Sequence, residues 1–324
     1  MQAIVQDRYG PPEVLELREV ERPVPTAGQV LVRVRAAAVN ARDWHHMRGD
    51  PYLARLVFGL GRPKVRVQGT DFAGRVVAVG RDVRGLAPGD EVFGEADGTF
   101  AEYVCAAPGR LAPKPAGLSF EQAAALPLAG TTALAGLRDL GRAGPGRTVL
   151  VNGASGGVGT FAVQIAKALG AEVTAVCSAR NAELVRSLGA DRVVDYARED
   201  FTRDGRRHDL VFDLVGNRSL TAYRRALTPS GTLVLSGGGV SEGGSLFGPM
   251  GLLLRGQALS LVAGRRLRVL TAAPDRAALE ALTELVGAGR LTPVVDRAYP
   301  LAEVADAVRY VEVEHARAKV VITV

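Results

Sequence analysis

The residues with the clearest chemical potential run from Asn152 to Gly159, Asn-Gly-Ala-Ser-Gly-Gly-Val-Gly. Gly153, Gly156, Gly157 and Gly159 sit where a chain turns tightly and leaves backbone N–H groups uncovered, a natural place for a phosphate. Before them Val149, Leu150 and Val151 form an apolar β-prone run. After them Val158, Phe161, Ala162, Ile165, Ala166 and Leu169 make a helical stripe that stops at Gly170, and Glu172 to Cys177 is β-prone again. Strand, glycine turn, helix and strand together are the context a dinucleotide-binding βαβ unit requires. Ala154 stands where the first glycine of G-x-G-x-x-G would be, and alanine tolerates a turn with φ below zero. Ser155, Gly156, Gly157 and Val158 are the expected contacts.

A second signal lies at Ser178-Ala179-Arg180, at the end of the second strand. NAD-specific sites place an acid there to bind the ribose 2′-OH. A hydroxyl and a guanidinium suit a 2′-phosphate instead, with charge-assisted bonds of about 1.5–3 kcal/mol each. NADPH is the expected cofactor. The competing reading is a solvated arginine, since cations are disfavoured near helix N-termini.

The elements that must carry these residues follow from periodicity. From Met1 to about Ala107 short β-rich runs alternate with turns, including Val30–Val39, Arg75–Val79 and the turn Pro88-Gly89-Asp90, with no long helical period, so a barrel-like β domain is expected. Ser119, with Gln122 as its capping-box partner, opens a helical stretch to Leu140. Beyond Arg180 the alternation continues, with helices over 181–188 and 219–227 and strands over 192–194, 209–215, 231–236 and 267–271. Pro274 is expected to open a helix to about Val286. An extended run over 292–299, a helix over 301–311 with Val304, Ala307, Val308 and Val311 on one side, and a final strand over 319–324 return to complete the first domain. The expected fold is α/β: a Rossmann domain (doubly wound parallel sheet), residues 123–271, inserted in a split β-rich catalytic domain, residues 1–122 and 272–324.

Composition removes several function classes. The 324 residues are 47% hydrophobic and 23% charged, as in ordinary soluble globular chains of about two domains. The net charge of +6 comes from scattered arginines, and the groups Arg203/Arg206/Arg207 and Arg265/Arg266/Arg268 lack interleaved aromatics, so no nucleic-acid partner is expected. Charged residues from Asp7 to Glu16 argue against an export leader, and the widely spaced Cys105 and Cys177 fit a reducing cytoplasm. The apolar stretch Leu246–Ala263 is interrupted by Pro249, Gly251, Arg255, Gly256 and Gln257, so no membrane span is expected. It reads either as a packed insertion or as a lid over a substrate.

The turn 154–159, Gly69-Thr-Asp-Phe-Ala-Gly74, Pro88-Gly-Asp-Glu-Val-Phe-Gly94 and Ala316-Arg-Ala-Lys-Val-Val321 resemble the zinc-independent quinone oxidoreductase branch of the medium-chain dehydrogenase/reductase superfamily. The resemblance implies a GroES-like catalytic domain built from both chain ends, a Rossmann domain between them, and homodimers. It also implies the site. Where zinc-dependent members carry a Cys and a Gly-His-Glu run, this chain has Asn40 and Gly69-Thr70-Asp71, and a catalytic zinc needs about three ligands. His45 and His46, read as neighbours on an extended segment, point to opposite sides. No metal is expected.

Asn40 matches an active-site asparagine of the family, with a turn cap as the alternative. The resemblance places a tyrosine proton donor where this chain has Trp44, and indole donates a hydrogen bond without delivering a proton. His45, Tyr52 or water must then serve. Asp43 and Thr131 match positions near the cofactor, Tyr196 lies near the adenosine phosphate, and Lys319 either reaches the cofactor or sits at a sheet edge. Without zinc, the implied substrates accept hydride unaided: quinones and α,β-unsaturated carbonyls. The alternatives are a double-bond reductase acting on enoyl or alkenal substrates in secondary metabolism and a non-catalytic NADPH-binding partner protein.

Overall fold

Short apolar runs broken by Gly and Pro become strands through the first 113 residues: β1 (Gln2–Val5), β2 (Glu16–Glu19), β3 (Val30–Val39), β4 (Asp71–Val79), β5 (Glu91–Glu95), β6 (Tyr103–Ala106) and β7 (Leu111–Pro113). The computed structural model describes residues 1–237, 251, 256, 267–270, 275–314 and 316–324. Its first unit comprises Met1–Thr131, Ala273–Ala288 and Pro293–Val324; its second comprises Thr132–Ala272 and Gly289–Thr292.

In the first unit, two strands from the far end of the chain, β14 (Val295–Pro300) and β15 (Lys319–Thr323), join a seven-stranded sheet whose main path is β14-β15-β3-β4-β5-β7, with β6 also on β3. The ten-residue β3 serves two cores. Val30, Val32 and Val34 pack with Phe72, Val76, Val92 and Leu111, while Ala37 and Val39 pack with Trp44, Met47, Val320, Ile322 and the helix Val304–Val313. Burying each such side chain contributes roughly 1.5–3 kcal/mol.

One expectation fails here. Residues after β3 are not extended: α1 (Ala41–Arg48) follows directly, then the short helix α2 (Arg55–Phe58). The local propensities of Asn, Asp, Trp and His are poor for a helix. One local and one non-local term override them: in the capping box at the helix start Asp43 Oδ2 accepts the Asn40 N–H at 2.7 Å, and Trp44 and Met47 are buried in the core. His45 and His46 therefore lie on successive helical positions.

Helix α3 (Phe120–Ala124) starts at Ser119 with the reciprocal Ser119–Gln122 capping box, and α4 (Pro127–Leu134) carries the division between the units. The second unit is a parallel sheet of order β10-β9-β8-β11-β12-β13, formed by β8 (Thr148–Asn152), β9 (Glu172–Cys177), β10 (Arg192–Asp195), β11 (His208–Asp213), β12 (Leu227–Leu235) and β13 (Leu267–Val269). That order is the doubly wound dinucleotide-binding arrangement, with its switch point between β8 and β11. Between strands lie α5 (Gly157–Ala168), α6 (Ala182–Ser187) and α7 (Leu220–Arg225). The later helix Arg276–Gly287 is capped by Asp275, whose carboxylate accepts the Ala277 N–H, so the first-turn role expected of Pro274 falls to that residue. Pro274 and, apart from Gly251 and Gly256, the insertion Leu246–Ala263 lie outside the described residues.

Candidate active site and cofactor cradle

In the second unit the glycine turn sits where β8 meets α5. Gly153 takes the positive φ, 88°, so Ala154 is spared it, as its side chain requires. Gly159 allows the closest approach: a Cβ there would stand 2.1 Å from the Gly153 carbonyl oxygen and 2.6 Å from the Ala154 carbonyl carbon. Helix α5 can therefore begin against the turn, with Gly156 as its N-cap residue. Its first amides and dipole form a cradle for an anion.

The next strands bring the other expected contacts to the same end of the sheet. Gly153 and Ala154 donate to the Val176 carbonyl, Asn181 Nδ2 donates to Ser155 Oγ at 3.0 Å, and the Tyr196 N–H donates to the Cys177 carbonyl. Ser178 opens a single helical turn, Ala179–Asn181, with Arg180 exposed. Thus Ser155, Gly156, Gly157, Val158, Ser178, Arg180 and Tyr196 are gathered around the ends of β8, β9 and β10. Thr131 belongs to the first unit, its hydroxyl donating to the Pro127 carbonyl at 2.7 Å.

The first unit holds a buried charge cluster. The neighbouring strands β15, β3, β4 and β5 bring Lys319, Asn40, Asp71 and Glu95 to one end, with Asp71 directly opposite Glu95 in the ladder. Asp43 enters from α1. None of the five exceeds 7% exposure. Lys319 Nζ donates to Asn40 Oδ1 at 2.5 Å and to the Val39 carbonyl at 3.1 Å, and lies 3.7 Å from Asp71 Oδ2. Asp71 also accepts the Leu128 N–H. Asp43 accepts Asn40 N–H on Oδ2 and the Thr70 hydroxyl on Oδ1 at 3.2 Å. Ala318, just before the lysine, is held at φ 60°, a left-handed conformation costing about 1–2 kcal/mol.

Burial governs the proton affinities. It pushes Asp43 up to about 7, helped by the like charge of Asp71 and opposed by Asn40 N–H, Lys319 and Thr70. Burial and Asp71 push Glu95 up to about 8, and its Oε2 has no hydrogen-bond partner. Asp71 is raised by burial and pulled back by Lys319, while burial lowers Lys319 against the attraction of Asp71 and Asp43.

Beside this cluster lies a cleft of about 200 Å³ lined by Asp43, Thr70, Arg42, His46, Phe58 and Lys64 among others. His46 Nδ1 is 2.7 Å from Gln68 Oε1, and burial lowers the proton affinity of its imidazole. Of the catalytic residues read from sequence, Asn40 and Asp43 meet in the cluster. Trp44 and Tyr52 do not line the cleft: Trp44 is a core residue stacked on His45, and Tyr52 lies under the Arg55 guanidinium. His45 Nδ1 is spent on the Asp50 carbonyl. The sheet-edge reading of Lys319 is corrected, since β15 is paired on both sides. Sequence reasoning missed Glu95, Thr70 as a hydroxyl facing the cleft, and His46 and Gln68; buried polar residues on separate strands leave no periodic signature.

The family descriptions "Alcohol dehydrogenase GroES-like domain" and "Zinc-binding dehydrogenase" match residues 26–116 and 188–322. The chain is 34% identical to mouse mitochondrial NAD(P)H oxidoreductase RTN4IP1, over all of this chain and 89% of that protein. It is also 34% identical to the chloroplastic NADPH-dependent alkenal/one oxidoreductase of Arabidopsis thaliana, over 99% of this chain and 79% of that one. The solved quinone oxidoreductase of Coxiella burnetii matches with a TM-score of 0.86 at 33% identity, covering 100% of this chain and 99% of that one. Fold and site thus define an NAD(P)H-dependent oxidoreductase built from a GroES-like and a Rossmann-like domain. The chain belongs to the zinc-independent quinone oxidoreductase branch of the medium-chain dehydrogenase/reductase superfamily.

The donor set does not fit a catalytic zinc. At the matching positions Asn40 Oδ1 and Asp71 are engaged by the Lys319 ammonium, and Thr70 by Asp43. Among the described residues no group of three or more His, Cys, Asp or Glu is placed to hold a metal ion, and no helix is long and apolar enough to cross a membrane.

Proposed function

We propose that this protein reduces a conjugated carbonyl, either a quinone or an α,β-unsaturated ketone or aldehyde, at the expense of NADPH. The observation that carries the cofactor choice is the end of β9, where Ser178 and Arg180 replace the acid that would bind a ribose 2′-OH and repel a 2′-phosphate. The amides of Ser155, Gly156, Gly157 and Val158 at the start of α5 suit the pyrophosphate, and Tyr196 beside Ser178 suits the adenosine phosphate. Thr131 and Lys319 remain assigned to the cofactor by family resemblance. When bound, NADPH supplies a hydride from nicotinamide C4. The cleft beside Asp43 takes the acceptor: Val57, Phe58, Val65 and Val67 cover a hydrocarbon ring or chain, and Arg42, Thr70 and Lys64 offer donors to oxygen. A substrate that delocalises added charge onto its own oxygen needs only such donors, so a site whose Asn40, Thr70 and Asp71 do not suit zinc fits conjugated acceptors.

We further infer that residues 1–122 and 272–324 act as the catalytic domain and 123–271 as the NADPH domain, in a homodimer of a reducing, cytoplasmic compartment. The free Cys105 and Cys177 support the compartment, and β13, one of the two edge strands of the six-stranded sheet among the described residues, offers an edge for pairing. The test is kcat/KM for NADPH and NADH with a panel of quinones, alkenals, enones and acyl-thioesters. NADPH is expected to be preferred, with Arg180→Ala eroding the preference by about tenfold or more, one lost charge-assisted contact. A preference for NADH refutes the cofactor assignment. Cofactor binding without turnover on any substrate favours the partner-protein alternative.

A further inference from the structure

Reduction of a double bond needs a proton as well as a hydride, and neither Trp44, Tyr52 nor His45 lines the cleft. His46 does, but burial lowers the proton affinity of its imidazole and Nδ1 is committed to Gln68. Thr70 is the remaining hydroxyl. It lines the cleft, is 6% exposed, and donates to Asp43 Oδ1 at 3.2 Å, and Asp43 itself reaches the same cleft.

Behind this pair stand three buried carboxyl groups, Asp43, Asp71 and Glu95, and a single buried ammonium, Lys319. Arg42, at the cleft, faces the same acids, and the surface pair partner of Arg42, Asp97, lies 3.9 Å from its guanidinium. Three carboxylates desolvated around one cation repel one another, and the arrangement relaxes by keeping a proton. The two oxygens of Asp43 differ in what they can do with it. Oδ2 accepts the Asn40 N–H at 2.7 Å and Oδ1 accepts the Thr70 hydroxyl at 3.2 Å; when Oδ1 takes up a proton the second contact reverses, Oδ1–H donating to Thr70 Oγ and freeing the Thr70 hydrogen for the cleft.

We propose that Thr70 is the catalytic proton donor to the reduced substrate and that Asp43 is the positioning acid that refills its hydroxyl. The assignment rests on the reading of the cleft as the acceptor site. After hydride adds to the β-carbon of the conjugated carbonyl, the electron pair of the resulting enolate takes the Thr70 Oγ proton at its α-carbon, or at oxygen for a quinone. As that O–H bond breaks, Asp43 passes its Oδ1 proton to Thr70 Oγ, so no free alkoxide forms. Asp43 is left as a carboxylate held by Asn40 N–H and Lys319, and solvent entering past the exposed Lys64 returns the proton. The charge change is one proton consumed per hydride transferred.

The experiment uses NADPH and an enone alkylated at its α-carbon, so that protonation creates a stereocentre. Wild type, Thr70→Val, Thr70→Ser and Asp43→Asn are compared in turnover, in the enantiomeric excess of the ketone and in pH profile. Wild type is expected to give one enantiomer, with kcat falling as pH rises through about 7, where the acid form of Asp43 is lost. Thr70→Val is expected to lower kcat about 100-fold with KM little changed, to give near-racemic ketone and to lose the alkaline fall, while Thr70→Ser restores all three. Asp43→Asn loses the alkaline fall and turns over slowly. Independently of turnover, the infrared carboxylic-acid band of the wild type should contain a component that titrates near pH 7 and is missing from Asp43→Asn, which keeps the component of Glu95 that titrates about one pH unit higher. A single enantiomer and an intact pH limb in Thr70→Val overturn the assignment while leaving the reductase reading standing. No wild-type turnover on any enone or quinone overturns both.

Discussion

Removing the Lys319 ammonium while keeping its length, as in Lys319→Met, leaves three buried carboxyl groups without their cation. With an effective dielectric of about 20, charges 3.7 Å apart attract by about 4 kcal/mol. Breaking a buried pair from one side costs roughly 3–5 kcal/mol. The expected loss is therefore about 4 kcal/mol in a fold whose whole stability is on the order of 5–15 kcal/mol. Trp44, the single tryptophan, is buried in the same unit, so its fluorescence in a urea titration reports the unit directly. The pH dependence has a definite sign. In the variant Asp71 binds its proton more tightly folded than unfolded, so the folded state holds the extra proton and stability falls as pH rises. The deficit relative to wild type should thus be largest near pH 8 and shrink toward about pH 5. Asp71→Asn added to Lys319→Met makes the pair neutral and should recover most of the loss. A deficit below about 1 kcal/mol near pH 8, or a double variant no better than the single, refutes the buried-pair account.

Two further outcomes follow from the second unit and from the cysteines. Gly159→Ala forces a Cβ to within 2.1 Å of the Gly153 carbonyl oxygen, so α5 must retreat from the turn; the Kd for NADPH, followed by cofactor fluorescence, should rise at least about tenfold and Tm should drop. Unchanged binding would show that the close approach is not needed. Burial pushes the Cys177 thiol up to about 11, whereas Cys105 is half-buried, so iodoacetamide should label Cys105 first in the native protein and Cys177 only on unfolding, as read by peptide mass spectrometry.

The second unit was legible because its determinants are local. The run from Val149 to Cys177 writes strand, turn, helix and strand in consecutive residues, and the structure places β8, α5 and β9 there. Helix α1 was only half legible: the Asn40–Asp43 capping box that starts it is local and was passed over, whereas Trp44 and Met47 are fixed by side chains some 250 residues away, such as Val304 and Val308. The charge cluster was hidden for the same reason. Asp43, Asp71, Glu95 and Lys319 look like ordinary surface charges in isolation, and only the pairing of β15 with β3 and of β3 with β4 buries them together. Trp44 shows the converse, a residue read by position as part of the site whose ring packs in the core.

The pairing of β3 with β15 also orders events during synthesis. At about 5–20 residues per second, a ribosome that has made α4 needs roughly 10–40 s more to reach Lys319. Through that interval β3 has β4 and β6 beside it but not β15, and Asp43, Asp71 and Glu95 have no Lys319 to gather around. The six strands of the second unit, from β8 to β13, are all made within the same interval. The strands of the cofactor cradle are thus made first, and the acid cluster is completed last, when β15 pairs with β3.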